Sequence, residues 1–295
     1  VSTPSFDPDF IPDIGSAGDS YEGAYLNRFT QSTYIPGSIF KIVTLAAALE
    51  EMPEIQQMSF TCTGSWGSGE HPVTCERSHG TQSLKDAFAN SCNCAFAQIA
   101  ETVGKKNMVQ YVKNFGITQP VSFDGITTAK GSFSIEDASA QQIAWSAIGQ
   151  HLDTVNPCRF MTLMGVIAGG GEAAEPYIVA SAGSGAFGGY KASKRTTGRL
   201  LDKDIAKELG ELMRNNVVKQ YGDDNFPGLT VCAKSGTSQL GGGQKSNAMF
   251  AGFVDSEEYP LAFMVVVENG GYGSHTCVPI LSKVLGVCKS VMDQE

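Results

Sequence analysis

Residues 38 to 51 read SIFKIVTLAAALEE, small and apolar side chains mixed with strong helix formers and free of internal Pro or Gly. Such a run predicts a buried helix, and the remaining chain must supply what covers it. Pro36 and Gly37 punctuate the sequence just before it, so Ser38 and Lys41 fall in the first turn. Three residues apart on a helix they share a face, and the lysine amine can reach the serine hydroxyl. A hydroxyl is a weak nucleophile until a base takes its proton, and a lysine kept neutral by burial can do so. Ser-x-x-Lys alone is a short pattern, equally compatible with a surface serine beside an unrelated lysine.

The surroundings divide in character. Residues 1 to 35 are rich in Pro, Asp, Gly and Ser and read as an extended approach to this helix. Residues 83–103 suggest two helical pieces interrupted around Ser91-Cys92-Asn93, and helical patterns return at 105–115, 135–149 and 156–168. Gly169-Gly170-Gly171 ends this helical half. A hairpin is expected from Tyr177 through the Gly-rich run that follows, then an amphipathic helix at 202–220. Strand-like runs follow at Leu229–Lys234, Ala248–Val254 and Leu261–Glu268, with a last helix over 276–292. Helices first and an antiparallel meander later imply an α+β fold: an antiparallel sheet flanked by helices, plus a mostly helical subdomain. We read residues 1–295 as one domain, with a helical half at about 38–170 and a sheet half at about 1–37 and 171–295.

A 42% hydrophobic content with 17% charged residues suits a globular core, and a net charge of −9 argues against nucleic acid or an anionic membrane as main partner. The locally basic Lys191, Lys194, Arg195 and Arg199 read as a solvated hairpin. No run of about 18 apolar residues exists to span a bilayer. Val1-Ser2-Thr3-Pro4 reads as the tail of a strand with no initiator Met, so an excised piece of a longer protein is expected. The G-x-G-x-x-G match at Gly183–Gly188 precedes Gly189 and the polar KASKRTTG rather than a helix, which favours a hairpin turn over a dinucleotide fingerprint. Gly241-Gly242-Gly243 reads as a connection between strands.

Two further motifs complete the pattern. Ser91-x-Asn93 sits at the break between helical pieces, and Lys234-Ser235-Gly236-Thr237 ends a strand, its glycine permitting close backbone approach by a ligand. S-x-x-K, S-x-N and K-S-G-T in this order resemble the signature of penicillin-binding proteins and the related serine β-lactamases. The resemblance extends over nearly the whole chain, including HGTQSLKDAFANSCNCAF, SAIGQHLDTVNP, KSGTSQ, NAMFAGFV and AFMVVVEN.

The resemblance implies a cleft between the two halves and a serine D,D-transpeptidase that cross-links peptidoglycan stem peptides and is acylated by β-lactams. Ser38 would be the nucleophile, Lys41 the general base, and Ser91 the donor of a proton to the leaving amine. Asn93 would hold the substrate amide, and Lys234, Ser235 and Thr237 its terminal carboxylate. Backbone N–H groups of Ser38 and Thr237 would form the oxyanion hole. No cofactor is implied for the chemistry. The parent protein would be membrane-anchored, with cell-wall synthesis partners, and would act on the extracytoplasmic face of the bacterial membrane. A D-Ala-D-Ala carboxypeptidase side activity, a β-lactamase and a penicillin-sensing domain without turnover are the alternatives on the same fold.

Eight cysteines are many for such a domain. Cys62, Cys75, His79 and Cys92 have the ligand types of a closed tetrahedral zinc site, although no C-x-x-C knuckle is present. Some members of the family carry zinc beside the second motif, and Cys92 lies inside Ser91-x-Asn93, where a metal would act structurally. A Cys62–Cys75 disulfide and free buried thiols remain open beside it. Cys94, Cys158, Cys232, Cys277 and Cys288 read as small core or strand residues.

Overall fold

The computed structural model describes residues 1–5, 9, 22–68, 70–183, 189–240 and 242–294. A single 3-10 turn at Gly37–Phe40 carries Ser38 and runs directly into helix α1, Lys41–Glu51. Every α1 residue from Lys41 to Leu49 is buried, as its composition requires. Strands β1 (Ser59–Cys62) and β2 (Gly80–Ser83) pair antiparallel, with Cys62 opposite Gly80. Between them a short ladder pairs Ser65 with Thr74 and Trp66 with Val73. Helix α2 (Leu84–Ala89) is capped by Ser83, whose Oγ accepts from the Asp86 amide. Helix α3 (Asn93–Asn114) starts at a Cys92 cap and kinks at Gly104, whose φ of 78° is non-helical. That kink separates the two helical patterns read at 83–103 and 105–115.

Helix α4 is confined to Ala140–Ala147, shorter than the expected 135–149, because a Ser139–Gln142 capping box sets its start. Helix α5 (Pro157–Ala168) is capped by Asn156, and α6 (Lys203–Asn216) by Asp202. The sheet is β3 (Val231–Ser238), β4 (Asn247–Val254) and β5 (Ala262–Val267), ordered β5-β4-β3 and antiparallel throughout. Helix α7 spans Gly273–Met292.

Strand β4 is buried along its full length because helices cover both faces. Its alternate residues go to different cores: Met249, Ala251 and Phe253 join α1, α3, α5 and α6, while Ala248, Phe250 and Val254 join Cys277, Val278, Leu281 and Leu285 of α7. Period-two alternation on a two-sided sheet produces that split. Helix α5 packs on β4 and β5, so it belongs with the sheet rather than with the helical half to which its position before Gly169 assigned it. Its apolar periodicity announced a buried face without saying what that face covers.

The antiparallel pairing of Ser181–Ala182 with Tyr190–Lys191 forms the expected hairpin. Residues Ser184–Gly188 of the glycine-rich match, and Gly241, lie outside the described residues. The described residues at the chain start contain no strand where one was expected, and Val1–Thr3 are not paired. Among the described residues, no helix is long and apolar enough to cross a membrane.

Candidate active site

The 3-10 turn at Ser38, the α2–α3 junction at Ser91, and strand β3 converge on one cleft of about 600 Å³. Sequence reading ended a strand at Lys234; the strand instead runs through Ser238, so Lys234, Ser235 and Thr237 form an edge facing the turn that carries Ser38. Close approach of these elements depends on two glycines. Gly37 has φ of +54°, and a Cβ there would meet the Thr237 carbonyl oxygen at 2.6 Å. A Cβ on Gly236 would meet the Pro36 carbonyl oxygen at 2.8 Å.

Lys41 is fully buried, and its Nζ lies 3.1 Å from Ser38 Oγ, 3.1 Å from Ser91 Oγ, 2.6 Å from the Ser91 carbonyl and 2.7 Å from Asn93 Oδ1. Burial pushes its amine down to about 7, partly countered by the nearby Cys75, Cys92 and Cys94 sulfurs. Lys234 is likewise buried, and its Nζ reaches Ser91 Oγ at 3.0 Å. Burial, then repulsion from Lys41, holds it well below the ordinary lysine range. One hydroxyl, Ser91 Oγ, therefore sits between two amines. Ser91 is held at φ of +52°, a backbone that non-glycine residues adopt only when their surroundings enforce it.

Two residues that the motifs did not single out complete the site. Gln150 Nε2 donates to the Thr237 carbonyl at 2.9 Å. In a strand a residue's C=O and N–H point to the same side, so the Thr237 amide also faces the Ser38 turn. Gly149, just before Gln150, accepts from the Gly37 amide at 2.8 Å, which fixes that turn from below. The Tyr221 hydroxyl accepts from the Ser235 amide at 2.9 Å and sits 3.0 Å from Ser235 Oγ. Gln150 lay inside the SAIGQ segment, a visible though unassigned signal; Tyr221 follows α6 with nothing in its sequence context to mark it.

Beside Ser91 lie Cys62, Cys75, His79 and Cys92, whose ligand atoms are all within 4.8 Å of one another. Cys62 ends β1, His79 immediately precedes β2, Cys75 immediately follows the short ladder, and Cys92 caps α3. Cys75 Sγ to Cys92 Sγ is 3.8 Å and Cys62 Sγ to His79 Nδ1 is 3.5 Å. Tetrahedral zinc requires about 3.8 Å between two thiolates and about 3.6 Å between thiolate and imidazole nitrogen, from its bond lengths. Amides of Cys94 and Ala95 point at Cys75 Sγ and Cys92 Sγ, each at 3.4 Å, as around metal thiolates. The hydrogen bond from Cys92, ahead of the Cys94 contacts, holds the Cys75 thiol well below the ordinary thiol range, and the same bond pushes Cys92 up. Cys62 and Cys75, the pair considered for a disulfide, are both free thiols here.

The family model of the penicillin binding protein transpeptidase domain matches residues 1–286. The chain is similar to the peptidoglycan D,D-transpeptidase PbpA of Mycolicibacterium smegmatis, 29% identical over 298 residues, covering 92% of this chain and 59% of the relative. It is 28% identical to stage V sporulation protein D of Bacillus subtilis, covering 96% of this chain and 46% of that protein. The chain thus spans about half to three-fifths of these relatives. Its fold matches penicillin-binding protein A from M. tuberculosis, solved as a ceftriaxone acyl-enzyme, with a TM-score of 0.86 and 25% identity, covering 98% of this chain and 70% of that one. The chain belongs to the penicillin-binding protein transpeptidase domain family.

Proposed function

We propose that this domain is a serine D,D-transpeptidase that cross-links peptidoglycan stem peptides, with Ser38 as the acylated residue. One observation carries the reading: Ser38 Oγ, Lys41 Nζ, Ser91 Oγ and Lys234 Nζ form a continuous chain with every step between 3.0 and 3.1 Å. The buried, neutral Lys41 takes the Ser38 proton as Oγ attacks the carbonyl of a D-Ala-D-Ala terminus or a β-lactam. The Ser38 and Thr237 amides hold the developing oxyanion, a device worth about 3–4 kcal/mol per donor. Ser91 Oγ, linked to both amines, delivers a proton to the leaving amine. An incoming peptide amine then takes the acyl group.

Hydroxyl orientations suit a terminal carboxylate. Thr237 Oγ1 accepts from the Gly273 amide at 3.0 Å, leaving its own proton free to donate. Tyr221 Oη and Ser235 Oγ lie 3.0 Å apart and either can donate; with the Tyr221 proton on Ser235 Oγ, the Ser235 hydroxyl is left free in the same way. With Lys234 these make two neutral donors and a cation for one anion. Asn93 is oriented toward the substrate amide by donating to the Thr74 carbonyl at 2.7 Å.

Cys62, Cys75, His79 and Cys92 would hold a structural zinc, and its contribution when bound is to fix Cys92 and so the Ser91 and Asn93 that flank it. No step of the acyl transfer needs it. The parent protein would act at the extracytoplasmic face of the membrane, anchored there beside other wall-synthesis proteins.

Intact-mass analysis of a labelled penicillin adduct over time tests the assignment. A lasting adduct is expected, absent in Ser38→Ala. Loss within seconds would point to a β-lactamase instead; among the described residues lining the cleft, Glu76 is the one carboxylate, and it engages Tyr272. Cross-linking of peptide substrates then separates transpeptidase from sensor. For the metal, protein purified without added zinc should carry it stoichiometrically; substoichiometric zinc with a Cys62–Cys75 disulfide would sink that part.

A further inference from the structure

The thiol cluster contains one sulfur that zinc does not use. Cys94 is buried in the first turn of α3, and its Sγ lies 3.6 Å from Cys75 Sγ, closer than Cys92 Sγ at 3.8 Å. Its Sγ also contacts the Val73 carbonyl at 4.0 Å and interacts with the Cys62 sulfur. Cys75 is half-buried and lines the cleft, where a small solute can reach it.

We propose that Cys75 and Cys94 form an oxidant-driven disulfide that opens the metal site and disarms the cleft. Hydrogen peroxide, or another small peroxide, is the oxidant. The Cys75 thiolate attacks one peroxide oxygen, the O–O bond breaks, and a sulfenic acid and hydroxide result. Hydroxide takes a proton from solvent to become water. The Cys94 sulfur then attacks the sulfenic sulfur, an S–S bond forms, and the hydroxyl leaves with the Cys94 proton as a second water. Two electrons pass from the two sulfurs to the peroxide.

Cys94 is the favoured partner because Cys92 is committed as metal ligand and helix cap, its sulfur accepting from the Ala95 amide. Reaching S–S bond length requires the sulfurs to close by about 1.5 Å. The Cys75 side of the pair sits after a two-residue ladder, whereas Cys94 is set in a buried helix turn, so Cys75 moves. Two consequences reach the active site. Thr74, next to Cys75, holds Asn93 Nδ2 through its carbonyl at 2.7 Å, and Asn93 in turn holds Lys41. Loss of Cys75 as a ligand also frees Cys92, and Ser91 is then no longer kept at its φ of +52°. Lys41 loses the partners that aim it at Ser38.

Zinc displacement rests on the metal reading above, whereas the disulfide stands also on the shorter Cys75–Cys94 distance of 3.6 Å and on the cap contact that holds Cys92. Zinc-loaded protein is treated with hydrogen peroxide while a chromophoric chelator reads zinc release. Non-reducing peptide mass maps the bond, and penicillin labelling reads the cleft. A Cys75–Cys94 linked peptide pair is expected, with one zinc released per bond. Labelling should slow by about 100-fold, the scale of a 1 Å misplacement at a reacting centre, and recover with thiol reductant plus zinc. Peroxide-treated Cys94→Ser should label at that variant's own untreated rate and lose zinc to peroxide several-fold more slowly. If the variant does not fold, the wild-type peptide map still decides. A Cys75–Cys92 or Cys62–Cys75 pair instead, or unchanged zinc loss and inactivation in Cys94→Ser, overturns the proposal. Protein without zinc that still forms the Cys75–Cys94 bond and stops labelling leaves the switch standing and removes only the metal.

Discussion

Replacing Lys41 with methionine keeps a long buried side chain in α1 and removes one titrating amine. In an unfolded chain a lysine keeps its proton to about 10.5, while burial lets Lys41 release it near 7. Between those values the unfolded chain binds more protons, so wild-type stability rises with pH through the window. Below pH 7 both states are protonated and the cost of burying the ammonium is constant; above 10.5 it is absent. Within the window the slope is about 1.4 kcal/mol per pH unit. From pH 8 to pH 9.5 the wild type should therefore gain about 2 kcal/mol on Lys41→Met. Loss of the hydrogen bonds to the Ser91 carbonyl and Asn93 Oδ1 shifts the variant by an amount independent of pH, so it enters the offset and not the slope. Burial holds Lys234 down in both proteins, and the loss of repulsion from Lys41 raises it in the variant, which widens the difference rather than reversing it. Urea unfolding of both proteins at pH 8, 8.8 and 9.5 measures the difference. A stability difference that stays flat, or that narrows in the wild type's disfavour as pH rises, would show that Lys41 is charged in the folded protein and could not be the base.

The same amine sets the acylation profile: penicillin labelling should be half-maximal near pH 7 and fall roughly tenfold from pH 8 to pH 6, as the neutral fraction does. A rapid-quench labelling series reads this directly, and a rate independent of pH over that range contradicts it. Tyr221→Phe leaves the Ser235 amide without its buried acceptor and should cost about 1–3 kcal/mol in urea unfolding. The same variant should label several-fold more slowly, because Ser235 loses the contact that turns its hydroxyl toward the substrate; unchanged labelling would remove Tyr221 from the site.

Local chemistry was legible wherever neighbours in sequence are neighbours in space. Ser38 and Lys41 lie one turn apart, so their 3.1 Å contact follows from helix geometry alone. Ser91-x-Asn93 at a helix break is equally local, since a junction between helices leaves polar groups to be satisfied there; that the Cys92 sulfur caps α3 came from the structure. Ala248–Val254 was legible as a strand-like apolar run, whereas its burial on both faces came from the structure.

Tertiary structure decided everything that depends on distant segments meeting. Lys234 reaches Ser91 across 143 positions and Gln150 reaches Thr237 across 87, contacts that no spacing rule encodes. Strand β3 runs through its motif because β4 supplies the hydrogen-bond partners, a matter of pairing rather than propensity. The amine of Lys41 is an ordinary lysine by sequence; it becomes a base near neutrality because α1 is sealed on all sides and desolvation removes the advantage of its charge. Sequence supplied the reactive groups and their local geometry, while the fold brought them together and excluded the water that would have kept them inert.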